Sequence, residues 1–223
     1  MHLKNKLSIK HIIKKPVSGN IPTLFLMIHG YGSNENDLFS LKKDIPENFF
    51  IISIQGIYSI GSNKYSWYNI DFSKKNQFIN NISQAKNAID KISFFIDEAI
   101  EEYQLNKNQV WVCGFSQGAI LSYAIALKKT DKVKKVIALS GYLEKCFLPK
   151  EINITSFSNL EIFISHGKYD PIIPIDWTKK GFDFLKKKKI ISLYYKEYDS
   201  GHTLCRSNYQ DLINWIKEKQ KKF

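Results

Sequence analysis

The sequence predicts an α/β fold, with a mostly parallel central sheet covered by helices on both faces. Three observations carry this reading. Short apolar runs alternate with longer amphipathic stretches along the chain. Most of the runs are apolar on both faces, as strands covered on both sides are. No Pro/Gly/Ser-rich linker or internal repeat interrupts the alternation. The chain of 223 residues, 43% hydrophobic and 14% aromatic, is long enough to bury a sizeable core, and the expectation is one domain over 1–223 without a separate lid.

The expected strands are 7–13, 23–29, 49–54, 110–115, 135–140, 161–166 and 191–198. The clearest helix spans 82–104, where Ala85, Ala88, Ile89, Ile92, Ile96, Ala99, Ile100 and Tyr103 recur at spacings of three and four and form one apolar stripe. A second amphipathic helix closes the chain, with Leu212, Trp215 and Ile216 directed inward, and another begins near Trp177 with Asp176 as its cap.

Composition narrows the function classes. No segment has the eighteen or so uninterrupted apolar residues of a membrane helix, and the first residues, MHLKNKLSIKHIIKK, place lysines where a signal peptide is apolar. The expectation is therefore a cytoplasmic protein with no stable membrane insertion. Three cysteines at wide spacings, Cys113, Cys146 and Cys205, fit neither a disulfide framework nor a zinc ribbon and read as reduced thiols.

The net charge of +12 invites a nucleic-acid reading. Yet of the 33 basic residues only Arg206 is arginine, the side chain that bidentate phosphate and guanine recognition favours. The lysine runs read as solvated helix ends, so no nucleic-acid partner is expected. Transient contact with an anionic surface stays open, as does the oligomeric state.

The chemistry concentrates in VWVCGFSQGAI, 110–120. Ser116 stands between Gly114 and Gly118, where an apolar strand ends and the almost wholly apolar AILSYAIAL begins. This is the setting of a nucleophile elbow, a tight strand-to-helix turn that exposes a serine and brings strand and helix too close for side chains at the flanking positions. The first free amide of the following helix, the N–H of Gln117, is aimed at a developing oxyanion.

A serine hydroxyl needs a base, and the base needs an orienting carboxylate. ISHGKYDPIIP offers Asp170 after one strand and YDSGHTL offers His202 after the next, in the chain order Ser, Asp, His. Asp199 lies too near His202 in sequence to orient its ring. His29 and His166 each directly precede a glycine at a strand end and read as structural hydrogen-bonding residues, whereas His2 and His11 read as solvent-exposed. Among His29, His166, His202 and Cys205 only His202 and Cys205 have a short ligand spacing, which alone does not make a site, so no metal is expected. A second oxyanion donor comes from MIHGYGSNENDL, where Gly30 and Gly32 let the loop turn and the N–H of Tyr31 faces the serine. On its own, that loop would read as a glycine turn ending in a helix cap at Asn34 or Asn36.

Together HGYGSNENDL, SWYNI, GFSQGA, LSG at 139–141, HGKYDPIIP and SGH resemble, nearly end to end, the successive motifs of the phospholipase/carboxylesterase family, small α/β-hydrolases that include the acyl-protein thioesterases. The resemblance implies the α/β-hydrolase fold, no cofactor, and cleavage of a small-molecule ester or thioester through an acyl-enzyme on Ser116. Ser116, Asp170 and His202 would be the triad, with the amides of Tyr31 and Gln117 as oxyanion hole. Two departures stand out. The family commonly has Trp-Phe-Asp where this chain has Trp67, Tyr68 and Asn69, and a second glycine where it has Ala119. Trp67 and Tyr142 are the expected substrate-pocket residues. The competing expectation is a catalytically silent scaffold that binds a ligand or partner.

Overall fold

The computed structural model describes residues 7–17, 21–71, 73, 81–148, 160–188, 190 and 192–221. Its centre is a seven-stranded sheet formed by β1 (His11–Lys14), β2 (Thr23–Ile28), β3 (Phe49–Ile54), β6 (Val110–Phe115), β7 (Val133–Leu139), β8 (Glu161–Gly167) and β9 (Ser192–Tyr198). Their spatial order is β1-β3-β2-β6-β7-β8-β9. β1 runs antiparallel to β3 and every other pair is parallel. A small antiparallel hairpin, β4 (Tyr58–Gly61) with β5 (Lys64–Ser66), stands apart from this sheet.

Side chains on each strand alternate between two cores, as the period of two requires. On β2, Leu24, Leu26 and Ile28 face one core while Phe25 and Met27 face the other. β3 and β6 divide likewise, with Phe50, Ile52, Val110 and Val112 on the first side and Phe49, Ile51, Trp111 and Cys113 on the second. The first core is covered by α2 (Ile82–Glu102), α3 (Gln117–Lys128) and α4 (Ile175–Lys187), and the second by α1 (Asn36–Phe39) and α5 (Arg206–Gln220). Both faces are therefore covered, which is why the strands read as continuous apolar runs.

α2 buries the expected stripe from Ala85 to Ala99 and Phe95 as well, whereas Ile100 and Tyr103, at and just past its end, are half-buried. α3 is buried from Gln117 to Leu127, because it packs against the sheet while α2 lies over it. Leu212, Trp215 and Ile216 of α5 face inward as expected. Three expectations need correction. The first strand begins at His11, with Ile9 buried ahead of it. α4 begins at Ile175, and Asp176 lies in its first turn while Pro174 caps it. His11 is half-buried, with Nδ1 2.8 Å from the Ile9 carbonyl and Nε2 2.8 Å from the Tyr103 hydroxyl, because the ring is drawn under α2. His2 lies outside the described residues. Among those residues, no helix is long and apolar enough to cross a membrane.

One charged cluster is built into the sheet. Lys135 on β7 is 1% exposed, pairs in register with Glu161 on β8, and places Nζ 2.5 Å from its Oε1. Lys219 reaches the other carboxylate oxygen at 2.5 Å and the Ser192 hydroxyl donates to it. Burial raises the Glu161 carboxyl, but these donors outweigh burial and hold it down at about 2. A depressed carboxyl contributes stability above its unfolded value, near 4.5, and loses it as pH falls toward about 2. Glu161→Gln, which takes the neutralising carboxylate from a buried ammonium, is expected to cost about 3 kcal/mol at pH 7. Urea denaturation should give that difference at neutral pH and a shrinking one between pH 4.5 and 2.

Candidate active site

The site gathers at the C-terminal ends of the parallel strands, where open α/β sheets carry their ligands. Ser116 follows β6, Asp170 follows β8, His202 follows β9, and the Gly30–Gly32 turn follows β2.

Ser116 has φ 53° and ψ −115°, a left-handed backbone that a non-glycine residue adopts at a cost of about 1–3 kcal/mol. The surroundings hold it there. Its N–H donates to the Leu139 carbonyl at 2.8 Å, and its own carbonyl accepts from Ala119 and Ile120 in the first turn of α3. A Cβ at Gly114 would lie 2.2 Å from the Gly118 oxygen, and one at Gly118 would lie 2.0 Å from the Ile28 oxygen. The turn thus closes backbone against backbone. Ala119, where the family commonly has glycine, is matched across the turn: a Cβ on Gly141 would fall 2.5 Å from its methyl, so the glycine of LSG leaves the room.

The Nε2 atom of His202 is 2.9 Å from Ser116 Oγ, and its Nδ1 is 2.6 Å from Asp170 Oδ2. Since Nδ1 faces a carboxylate it carries the proton, and Nε2 is left to accept from the serine hydroxyl. The ring of Phe115 packs 5.0 Å from the imidazole, centroid to centroid. Asp170 accepts on Oδ1 from the amides of Ile172 and Ile173, at 2.8 and 2.9 Å. Its Oδ2 also lies 3.1 Å from Nε2 of His166, and neither side chain is exposed. Burial would raise the Asp170 carboxyl, yet the His166, His202 and Ile173 donors together hold it well below the usual carboxylate range. Asp199, the alternative acid, pairs with Lys168 at 2.9 Å and is turned to solvent.

Both expected oxyanion segments lie beside the serine. A Cβ at Gly30 would be 3.3 Å from Ser116 Cβ, so the turn carrying Tyr31 abuts Ser116. That turn is pinned by β5, where Gly32 N–H donates to the Tyr65 carbonyl and Tyr65 N–H to Ser33. In the same segment α1 starts at Asn36, and the Asn34 side chain accepts from the Asn36 amide. Gln117 opens α3, and its amide lies outside the intrahelical ladder.

Its side chain does work that the sequence reading overlooked. Gln117 Oε1 accepts from Trp67 N–H and Nε2 donates to the Tyr68 carbonyl, both at 2.8 Å. His29 is a second strut. It accepts from Gly56 N–H on Nε2, so Nδ1–H donates to the Gly30 carbonyl. Burial lowers the His29 imidazole, consistent with a neutral ring in this role.

Trp67 corrects an expectation. It has no exposed surface, its indole N–H donates to the His29 carbonyl at 2.9 Å, and its ring lies against His29. It braces the loop that begins at Gly30 and lines no open surface. Tyr142 packs with Ile120 and Ile173 between the first turn of α3 and the Asp170 loop, edge-on to Trp177. Tyr142, Leu143, Trp177 and Phe184 also line a cavity of about 200 Å³ together with Lys145 and Lys180.

An imidazole bridging a buried carboxylate and a serine on a strained turn is the arrangement that nucleophilic hydrolases use. The family model for phospholipases and carboxylesterases matches residues 11–220. The chain belongs to the phospholipase/carboxylesterase family. Family relatives include the putative hydrolase MhqD of Bacillus subtilis, 27% identical over 94% of this chain and 98% of its own length. Acyl-protein thioesterase 1 of Kluyveromyces lactis is 29% identical over 71% of this chain and 70% of its own. Among solved structures, the Bacillus cereus carboxylesterase superposes with a TM-score of 0.77 at 19% identity, covering 95% of this chain and 94% of that one. Zea mays acyl-protein thioesterase 2 gives 0.76 at 16% identity, covering 94% and 98%. The family is one of hydrolases of carboxylesterase and acyl-protein thioesterase type, and the fold is that of the α/β-hydrolases.

Proposed function

We propose that the chain is a serine hydrolase that cleaves carboxylic esters or thioesters of small molecules through an acyl-enzyme on Ser116. The observation that carries this reading is the unbroken relay from Ser116 Oγ through His202 to Asp170, at 2.9 and 2.6 Å. In the first step His202 Nε2 takes the serine proton as Oγ attacks the carbonyl carbon. Asp170 holds Nδ1–H in place and stabilises the imidazolium that forms. The amides of Tyr31 and Gln117 donate to the oxyanion, whose charge exists only in the transition state and the tetrahedral intermediate. His202 then protonates the departing alcohol or thiol. Water, deprotonated by the same ring, attacks the acyl-enzyme and releases the acid and free Ser116.

Tyr142, packed on the buried Ile120 and Ile173 and adjoining Gly141 beside the serine turn, is the proposed edge of an acyl-chain pocket. Tyr142→Ala should widen that pocket. In p-nitrophenyl esters from acetate to palmitate, the ratio of kcat/KM between longer and shorter chains is expected to rise about tenfold, the scale at which apolar pockets discriminate methylenes. An unchanged ratio places the acyl chain elsewhere. The test of the function itself is turnover of that ester series together with labelling by a fluorophosphonate, which reacts with activated serines. Folded protein that neither turns over any ester nor labels would be a silent scaffold.

A further inference from the structure

The acid of the relay is held by a second histidine that takes no part in the steps above. His166, the last strand residue before Gly167 on β8, and Asp170 are both fully buried. Nε2 of His166 lies 2.9 Å from the Ile173 carbonyl and 3.1 Å from Asp170 Oδ2. Both neighbours are acceptors, so this nitrogen carries a proton and shares it between them. The other ring nitrogen, Nδ1, is 2.9 Å from Thr178 Oγ1, and that hydroxyl is 2.8 Å from the Gly141 carbonyl. Thr178 sits in the first turns of α4 and is 1% exposed. Gly141 in turn abuts the serine turn, since a Cβ there would be 3.0 Å from the Ser116 carbonyl oxygen. A buried polar path therefore leaves the serine turn at Gly141, crosses Thr178 and His166, and returns through Asp170 and His202 to Ser116.

Resting on the serine-hydrolase reading, we infer that His166 is a positioning residue for catalysis, donating from Nε2 to Asp170 Oδ2 and thereby setting how that oxygen meets His202. The geometry gives the reason. The two amides of Ile172 and Ile173 both bind Oδ1, which leaves the carboxylate free to swing about that oxygen. The oxygen that matters for His202 is Oδ2, and its only other donor among the described residues is His166. Two donors at fixed positions on different elements determine where Oδ2 sits, and hence where the imidazole points Nε2. The ring of His166 is itself fixed at both nitrogens, by Thr178 on one side and by the Ile173 carbonyl on the other. The same donor withdraws charge from Oδ2, so it also governs how strongly Asp170 holds the Nδ1 proton of His202.

A merely structural role, in which His166 only ties the Asp170 loop down through Ile173, predicts different behaviour. The experiment compares His166→Leu, which fills the space without a donor, with His166→Gln, whose amide N–H reaches the place of Nε2–H. Three quantities are measured: kcat and KM on p-nitrophenyl butyrate, the rate of fluorophosphonate labelling, and the low-field proton resonance of the short His202–Asp170 hydrogen bond. The expected result for His166→Leu is a kcat lower by about 10- to 100-fold, the usual scale for losing a partner that orients a functional side chain. KM should change little, labelling should slow in parallel, and the low-field resonance should move. His166→Gln should recover most of the rate and restore the resonance. The inference is overturned by a His166→Leu enzyme with wild-type kcat, or by Leu and Gln variants that lose rate equally. If the leucine variant does not fold, Thr178→Val is read in its place. Losing the hydroxyl at Nδ1 should lower kcat with KM unchanged, and a wild-type kcat overturns the inference. Wild-type protein that neither turns over nor labels fails at an earlier step and refutes the serine-hydrolase reading.

Discussion

Ser116→Ala is expected to lower kcat/KM on p-nitrophenyl esters by about 10⁴- to 10⁶-fold and to abolish fluorophosphonate labelling, while leaving the fold in place. The activity loss is large because the hydroxyl is the attacking atom of the proposed mechanism. What survives is the contribution of the oxyanion amides and of substrate binding, which do not depend on Oγ. The fold survives because the side chain makes one hydrogen bond, to His202, while the turn is held by backbone contacts to Leu139, Ala119 and Ile120. Alanine keeps a Cβ in the left-handed conformation at φ 53° and so keeps the strain. Ser116→Gly removes it. The glycine variant should be equally inactive yet melt higher than the alanine variant, since only glycine adopts that conformation without cost. Thermal denaturation of the three proteins beside an ester assay reads both effects. Unchanged turnover in Ser116→Ala ends the acyl-enzyme proposal, whereas equal melting of the alanine and glycine variants ends only the claim that the turn stores strain.

This separation between a backbone-held turn and a side-chain-held relay accounts for what was legible in the sequence. The central strands announce themselves as apolar runs because helices cover both faces of the sheet. The 82–104 stripe reads as a helix because its apolar residues repeat every three or four positions. The β4–β5 hairpin escapes such a reading. It is short, half-exposed and polar, and it owes its place to Ser33 pairing with Tyr65 just after the Gly30–Gly32 turn. The start of α4 is obscured because two prolines and the Asp170 loop precede it, so its first turn lacks the usual side-chain cap.

At the candidate site, Ser116, Asp170 and His202, which the structure brings together, could be singled out because each follows a strand in a fixed chain order. Their supports could not. Gln117 reaches Trp67 and Tyr68 across about fifty positions of chain, and Thr178 reaches His166 from a different element. Such contacts carry no local periodicity. The one available signal was a polar residue at the boundary of an otherwise apolar element: His29, His166 and Gln117 each stand at the end of a buried strand or the head of a buried helix. A buried polar group must find a partner, so residues of this kind mark where strands and loops are tied together. Trp67 was misassigned for the complementary reason. Its place in the connection 55–81 suggested a pocket border, but the indole N–H donates to the His29 carbonyl and the residue has no exposed surface.

Gly118→Ala should unfold or severely loosen the molecule, and this is the largest stability effect expected of any single methyl group here. The added Cβ would stand 2.0 Å from the Ile28 carbonyl oxygen and 2.8 Å from that of His29. Both are backbone atoms of the β2 end, so no rotamer change relieves the overlap. β2 is also locked in register to β6, with Ile28 opposite Gly114, and that strand carries the serine. To admit the methyl, α3 must lift from the sheet although α2 lies over it and its side chains are buried along the whole contact. Ordinary overpacking costs about 1–3 kcal/mol because side chains give way. Here only backbone is available to move, and a loss of about 4 kcal/mol or more is expected, a drop in melting temperature of roughly 8–16 °C for a chain of this size. Gly61→Ala is the control: its Cβ would meet nothing closer than 3.8 Å, and its melting temperature should match the wild type. Any Gly118→Ala protein that remains folded should also be a poor hydrolase, because lifting α3 carries the Gln117 amide and Ser116 away from His202. Wild-type stability and turnover in that variant would mean that the close approach of α3 to β2 is not what holds the serine in place.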